Sequence, residues 1–321
     1  MTLNTDMQVR VAAVTPVAEA VKRFRFERPD GAALPVFSGG AHVVVSMDDG
    51  GVLRRNPYSL MSPPNDTSGY EISVLRVPQS RGGSAFLHEQ VKPGDILTIS
   101  QPVNLFAADR RARKHLLIAG GIGVTPFLAM MEQFTAENIA FELHYAIRSR
   151  AHGAYWHELL GRYGMRKVKI YCDDEASQVP ITALLDKQSL GTHLYICGPS
   201  GMIDSVQQAA QQAGWPDENL HFERFMAPPT GQPFQLRLAR SDIHLIVGEH
   251  QSILEAVEAA GCQAPYMCRG GACGQCETAV LSADGMIEHN DIYLSEAEKA
   301  SGKKIMICVS RLKGQQLVVN L

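Results

Sequence analysis

The chain has 321 residues, 45% of them hydrophobic and 20% charged, a composition that excludes a disordered chain and implies two or three globular domains. A formal net charge of −3 argues against a general nucleic-acid binder. Met1-Thr2-Leu3-Asn4-Thr5-Asp6 lacks a basic-then-apolar pattern, and the apolar stretch Leu116 to Met131 is broken by Gly120, Gly121, Gly123 and Pro126, so neither a signal peptide nor a membrane span is expected and the compartment is read as cytoplasmic.

Residues 1–108 read as β-rich. His42 to Val45 and Tyr70 to Val77 are strand-like, the second with period two, and Gly31, Gly39-Gly40, Gly50-Gly51 and Gly82-Gly83 supply turns. Short strands at such spacing predict an antiparallel β-barrel, with one helix over Ser84 to Gln90. The basic run Arg110, Arg111, Arg113 and Lys114 reads as a solvated linker. Residues 109–226 then alternate. Strands are predicted at Leu116–Ala119, Phe141–Ile147, Val168–Tyr171, Leu194–Cys197 and Leu220–Phe225. Helices are predicted from Thr125 (N-cap) and Pro126 (first helical position), and over Ala154–Leu160, Ile181–Asp186 and Ser200–Ala213. That alternation means a parallel, doubly wound sheet.

Residues 227–233, Ala-Pro-Pro-Thr-Gly-Gln-Pro, form a stiff polar linker. A small third unit over 234–321 begins with strands Phe234–Leu238 and Ile243–Val247 and a helix over Ser252–Ala260; strands Lys304–Val309 and Gln316–Val319 close it.

Between them, Cys268, Cys273 and Cys276 spell C-x4-C-x2-C, and Cys308 follows after thirty-one further residues. This is the spacing of a plant-type 2Fe–2S site: one loop wraps the cluster and a distant fourth thiolate ties it to the core. Gly270, Gly271 and Gly274 let the loop curl so that amides face sulfur. Structural zinc, the rival, usually carries paired C-x2-C motifs or a histidine. Cys172, Cys197 and Cys262 lie outside the set.

Ala119-Gly120-Gly121-Ile122-Gly123-Val124-Thr125-Pro126 joins a strand to a helix and suits a pyrophosphate, although it is not the G-x-G-x-x-G fingerprint. Cys197-Gly198-Pro199 ends a later strand of the same sheet, where a flat nicotinamide ring can dock. Arg148 and Arg150 compete with Asp173, Asp174 and Glu175 over the choice between NADPH and NADH; NADH is favoured. In the β-rich region, Tyr58 and Ser59 suit a flavin ring and ribityl chain, and Arg55 could pair a phosphate. Arg81-Gly82-Gly83-Ser84, opening the helix, suits a terminal phosphate.

Together, Tyr58-Ser59-Leu60, Gly82-Gly83-Ser84, Gly120-Gly121-Ile122-Gly123, Cys197-Gly198-Pro199, Phe222-Glu223-Arg224-Phe225 and the four cysteines resemble the phthalate dioxygenase reductase family over nearly the whole chain. The resemblance implies an FMN domain, an NADH domain and a C-terminal β-grasp ferredoxin that reduces a Rieske-type oxygenase acting on aromatic acids, small methylated amines or related compounds. It implies FMN contacts from Tyr58, Ser59 (near N5), Leu60, Leu75, Val77, Gly82, Gly83 and Ser84. NADH is expected to dock its pyrophosphate at Gly120, Gly121, Gly123, Thr125 and Pro126 and its nicotinamide at Cys197, Gly198 and Pro199. Phe225 matches an aromatic that covers the flavin, and Ser59, Cys197 and Phe225 are the residues expected beside the chemistry. One departure stands out. The family's R-x-Y-S is here Arg55-Asn56-Pro57-Tyr58-Ser59, so either Arg55 reaches the phosphate or Asn56 takes part of its role. The partner is expected to dock at the cluster loop near Arg269, and the chain to be a monomer. The alternatives are a reductase for a diiron or haem-thiolate monooxygenase, with FAD, or a non-catalytic redox sensor.

Overall fold

A computed structural model describes residues 6–78, 81–225 and 230–321. The linker expected at 227–233 therefore lies partly outside the described residues, at 227–229. Internal contacts divide the chain into two compact units: residues 1–45, 58–80 and 84–224, and residues 46–57, 81–83 and 225–321.

The N-terminal strands are β1 (Met7–Ala18), β2 (Val21–Glu27), β3 (His42–Asp49), β4 (Val52–Ser59), β5 (Tyr70–Leu75) and β6 (Ile96–Ile99), with helix α1 (Gly83–Glu89) after β5. They form one sheet in the order β4-β3-β6-β1-β2-β5. Alternating apolar residues explain its inner face: Met7, Val9 and Val11 of β1 and Phe24 and Phe26 of β2 are buried. The barrel expected from turn spacing is not formed. The sheet is open, with β4 and β5 as its two edges, and among the described residues no pairing joins them. Turn spacing limits strand length, but closure needs the two outermost strands to pair, and Val52, Leu53 and Leu75 on those edges stay exposed.

Strands β7 (Lys114–Gly120), β8 (Phe141–Ile147), β9 (Val168–Cys172), β10 (Thr192–Cys197) and β11 (Leu220–Glu223) alternate with helices α2 (Thr125–Ala136), α3 (Trp156–Lys167), α4 (Ile181–Leu185) and α5 (Ser200–Gln212). Every strand pair is parallel, in the order β11-β10-β7-β8-β9. Period two sorts the side chains between two cores. Leu117, Ala119, Leu143, Tyr145 and Tyr195 pack with Phe127 and Phe134 of α2, whereas Leu116, Ile118, Leu194 and Ile196 pack with Leu184 of α4 and Ile203 and Val206 of α5. Helices thus cover both faces. The strand order reverses between β7 and β10, where ligands of such sheets bind.

In the second unit, β12 (Phe234–Leu238), β13 (Ile243–Val247), β14 (Glu277–Ala283), β16 (Lys304–Met306) and β18 (Gln316–Val319) form a mixed sheet in the order β13-β12-β18-β14-β16; β15 (Met286–Glu288) pairs with β17 (Arg311–Lys313). Helix α6 (Ile253–Ala259) packs Ile253, Leu254 and Val257 into its core, and α7 (Glu296–Ser301) precedes β16. Both helices open on a capping box, Ser252 with Glu255 and Ser295 with Glu298. The strand expected to run to Val309 stops at Met306. There the amides of Val309 and Ser310 turn back on the Met306 carbonyl (3.2 and 3.0 Å), and the turn carries Cys308. Arg311 is 1% exposed and donates to the carbonyls of Gly231, Gln232 and Gln251, binding the end of the expected linker to this unit. Among the described residues no helix is long and apolar enough to cross a membrane.

Candidate functional site

The glycine turn after β7 and the Cys-Gly-Pro turn after β10 meet at the switch point. Residue pairing sets Ala119 beside Cys197, and a side chain on Gly123 would run into the Cys197 carbonyl, so this approach requires glycine. Gly120 packs in the same way against Pro199 and Met202. Gly121 to Val124 form a short 3-10 turn, and α2 begins one residue earlier than expected: Val124 is its N-cap, Thr125 its first residue and Pro126 its second. The Thr125 hydroxyl donates to the Ile122 carbonyl (2.9 Å), tying the turn to the helix rather than capping its amides.

Cys197 is fully buried, and burial holds its thiol well above the usual range, so it is neutral and presents shape rather than charge. Its register partner on β11 is Glu223, a residue not singled out from sequence. The Glu223 Oε2 is buried without a hydrogen-bond partner among the described residues, and burial pushes the carboxyl up to about 8. A protonated carboxyl at the end of this strand can donate a hydrogen bond at neutral pH. The signal was available: an acid inside a short buried-strand pattern, two residues before Phe225. Phe225 itself is 49% exposed. Near the end of β8, Arg150 is held by Glu175 (2.8 and 2.9 Å) and lies 4.5 Å over the Trp156 ring.

On β4, strand alternation places Arg54, Asn56 and Tyr58 on one face and Arg55 on the other. A side chain on Gly82 would meet Arg54 and one on Gly83 would meet Asn56, so the 81–83 turn lies against this polar face. Arg54 was missed by the sequence reading, although the alternation could have found it. Its Nε is buried and unpartnered among the described residues, beside Gly82. Arg55 and Arg81 are engaged elsewhere: Arg55 pairs with Glu258 (2.9 Å) and Arg81 with Glu255 (2.6 Å) on α6. In the first unit Ser59 is 6% and Leu60 0% exposed, whereas Leu75 and Val77 are open to solvent. Ser84 is the second residue of α1, and its hydroxyl accepts from the Val77 amide (3.3 Å).

The four predicted ligands are free thiols, three on the cysteine loop and Cys308 on the turn after β16. Cys276 and Cys308 approach to 3.1 Å between sulfurs. Cys268 accepts the Gly270 amide (3.3 Å), and its thiol is held below the usual range, first by the Cys273 thiol and then by the amides of Gly270, Ala272 and Cys273. Thiolates surrounded by amide donors are the donor set a 2Fe–2S cluster requires. Gly271 (φ +72°) passes so close to Val309 and Asp291 that a Cβ there would lie 2.7 Å from Val309 Cγ2. Arg269, expected to face a partner, is 5% exposed: its guanidinium is paired with Glu258 and sits 3.9 Å over the Tyr266 ring. Exposed large side chains on and beside the loop include Tyr266, Ile292 and Tyr293.

A glycine-lined nucleotide turn at a switch point and a three-cysteine loop with a fourth free thiol on a distant turn, in one chain, define an electron-transfer reductase with its own iron–sulfur module. Residues 236–313 match the 2Fe-2S iron-sulfur cluster binding domain, and residues 98–220 match the N-terminal domain of dimethylamine monooxygenase subunit DmmA-like proteins. The carnitine monooxygenase reductase subunit of Acinetobacter baumannii is 44% identical, over 97% of this chain and 96% of that protein. The heme-dependent oxidative N-demethylase beta subunit of Ectopseudomonas mendocina is 42% identical, over 99% of this chain and 100% of that one. The solved structure of phthalate dioxygenase reductase, described as a modular structure for electron transfer from pyridine nucleotides to 2Fe-2S, superposes with a TM-score of 0.89 at 34% identity, over 98% of each chain. The chain belongs to the phthalate dioxygenase reductase family: it is an oxidoreductase, the reductase component of an oxygenase system.

Proposed function

We propose that the chain takes a hydride from NADH at FMN and delivers single electrons, through its 2Fe–2S cluster, to a Rieske-type oxygenase acting on an N-methylated amine. The observation that carries the reading is the meeting of the two turns at Gly123 and Cys197 in a chain whose cysteine loop sets Cys276 3.1 Å from the free thiol of Cys308. Flavin supplies hydride acceptance and the cluster supplies a one-electron carrier. The protein supplies position. Gly120, Gly121, Gly123, Thr125 and Pro126 form the pyrophosphate turn, and Cys197, Gly198 and Pro199 form a flat apolar seat for the nicotinamide. Protonated Glu223 is a hydrogen-bond donor for the carboxamide.

For FMN, Tyr58 and Ser59 would take the ring and ribityl chain, with Leu75 and Val77 as further contacts in the same unit. The phosphate falls to Gly82, Gly83, Ser84 and Asn56, with Arg54 in the role the sequence reading gave to Arg55. The buried, unpartnered Arg54 Nε beside Gly82 supports that exchange. NADH rather than NADPH is supported by Glu175, which already neutralises the Arg150 guanidinium a 2′-phosphate would need. We read the smaller unit as β-grasp and the protein as a cytoplasmic monomer. Seven free cysteines suit a reducing compartment.

The amine substrate class rests on relatives at 44% and 42% identity whose names concern carnitine and N-demethylation. The second of these names also favours a second reading, a haem-dependent N-demethylating partner. Purified holoprotein should show flavin absorption and acid-labile sulfide, be reduced by NADH faster than by NADPH, and support turnover of a trimethylammonium substrate by a Rieske oxygenase. Reduction by NADPH alone, or turnover only with a haem partner, would overturn the corresponding part.

A further inference from the structure

Glu258, in the last turn of α6, is shared by two arginines of different origin. Its carboxylate accepts from Arg55 on β4 (2.9 Å) and, through both oxygens, from Arg269 in the cysteine loop (3.0 Å for Nη1). The three side chains are 17%, 22% and 4% exposed for Glu258, Arg55 and Arg269. Arg269 directly follows the ligand Cys268 and holds a left-handed backbone (φ +51°), which a residue with a Cβ adopts only when its surroundings impose it. The Glu258 fork and the Tyr266 ring 3.9 Å from its guanidinium are those surroundings. The Arg269 Nε finds no partner among the described residues, so compensation of this buried cation rests on Glu258. Glu255, one turn earlier on α6, makes a contrast: its carboxylate pairs with Arg81 and accepts from the Ser252 amide.

We propose that Glu258 is a positioning residue for the iron–sulfur centre: it holds Arg269 in the conformation that curls the ligand loop and, with Arg55, sets the balance of charge beside the cluster. The inference rests on the electron route proposed above and adds a determinant of where the electrons settle. Its sign follows from electrostatics. A cluster gains negative charge on reduction, so removing a nearby anion favours the reduced form, and removing a nearby cation disfavours it.

The test measures the cluster midpoint potential and the EPR spectrum of the reduced cluster in purified holoprotein. Glu258→Gln should raise the potential, shifting the reduced-to-oxidised ratio at fixed potential by about tenfold, and change the EPR spectrum; its NADH–ferricyanide rate should stay within about twofold of wild type. Arg55→Gln should shift the ratio the other way, and Glu258→Asp should return it toward wild type. If Glu258→Gln cannot retain a cluster, the latter two variants decide. Shifts in the same direction for Glu258→Gln and Arg55→Gln, as from mere loosening, or no shift in either, overturn the inference. Failure of NADH to reduce the wild-type flavin would instead refute the electron route.

Discussion

The two ligand-binding loops of this protein solve one problem with different means. The nucleotide turn is an extension of regular structure: β7 and β10 run side by side, and the Gly123 approach to Cys197 follows from their register. The cysteine loop has no such frame. Between α6 and β14 the chain forms only turns, held by a left-handed Arg269, the Gly271 approach to Asp291 and Val309, and the Glu258 ion pairs. A site placed by backbone ladders needs few side chains to hold it, whereas a site placed by an irregular loop depends on buried charge.

The largest effect that can break this comparison is ligand removal. Cys273→Ser should abolish cytochrome c reduction while sparing NADH–ferricyanide activity; loss of both would show that the two loops are not independent. Next, Gly123→Ala should damage the ladder-framed site alone. Its Cβ would meet the Cys197 carbonyl, an overpacking of roughly 1–3 kcal/mol. The KM for NADH should rise more than tenfold with the EPR spectrum unchanged, and an unchanged KM would remove Gly123 from the site.

Two buried groups of the first unit make opposite pH predictions. Burial lowers His42 from 6.5 to about 4, so the unfolded state binds the extra proton and stability falls as pH drops from about 6.5 toward 4, by roughly 3 kcal/mol at most. Burial raises Glu223 from 4.5 to about 8, so here the native state holds the extra proton and stability falls as pH rises from about 4.5 to 8. Glu223→Gln should therefore flatten the alkaline side of a urea-midpoint profile and weaken nicotinamide binding; an unaltered profile would mean the carboxyl is ordinarily ionised. The smallest expected effect lies in the second unit: Ser252→Ala removes one half of the α6 capping box and should cost about 1 kcal/mol in thermal unfolding. Because α6 carries Glu258, any accompanying shift in cluster potential would link helix stability to the loop.

Legibility from the sequence followed the range of the physics. Phe141–Ile147, Phe234–Leu238, Ile243–Val247 and Gln316–Val319 lie where apolar periodicity put them, because period two is a local property. Strands β1, β2, β4 and β6 were not assigned, and the barrel was wrong, because edge pairing joins residues far apart in the chain. Arg55 and Arg269 show a related limit: an arginine near a site in sequence looks free to serve a ligand or a partner, whereas here each is paired with Glu258, a carboxylate from another segment.

By itself the sequence determined the C-x4-C-x2-C spacing, the strand–turn–helix at Gly120 to Pro126 and the alternation that builds a parallel sheet, since spacing, glycine freedom and periodicity act over a few residues. Only the tertiary structure decided that the flavin-region sheet stays open, that Glu258 takes both Arg55 and Arg269, and that the Glu223 carboxyl is buried. Those outcomes depend on which segments meet across the chain. Burial and charge pairing are properties of the assembled neighbourhood, and no residue carries its neighbourhood in its own stretch of sequence.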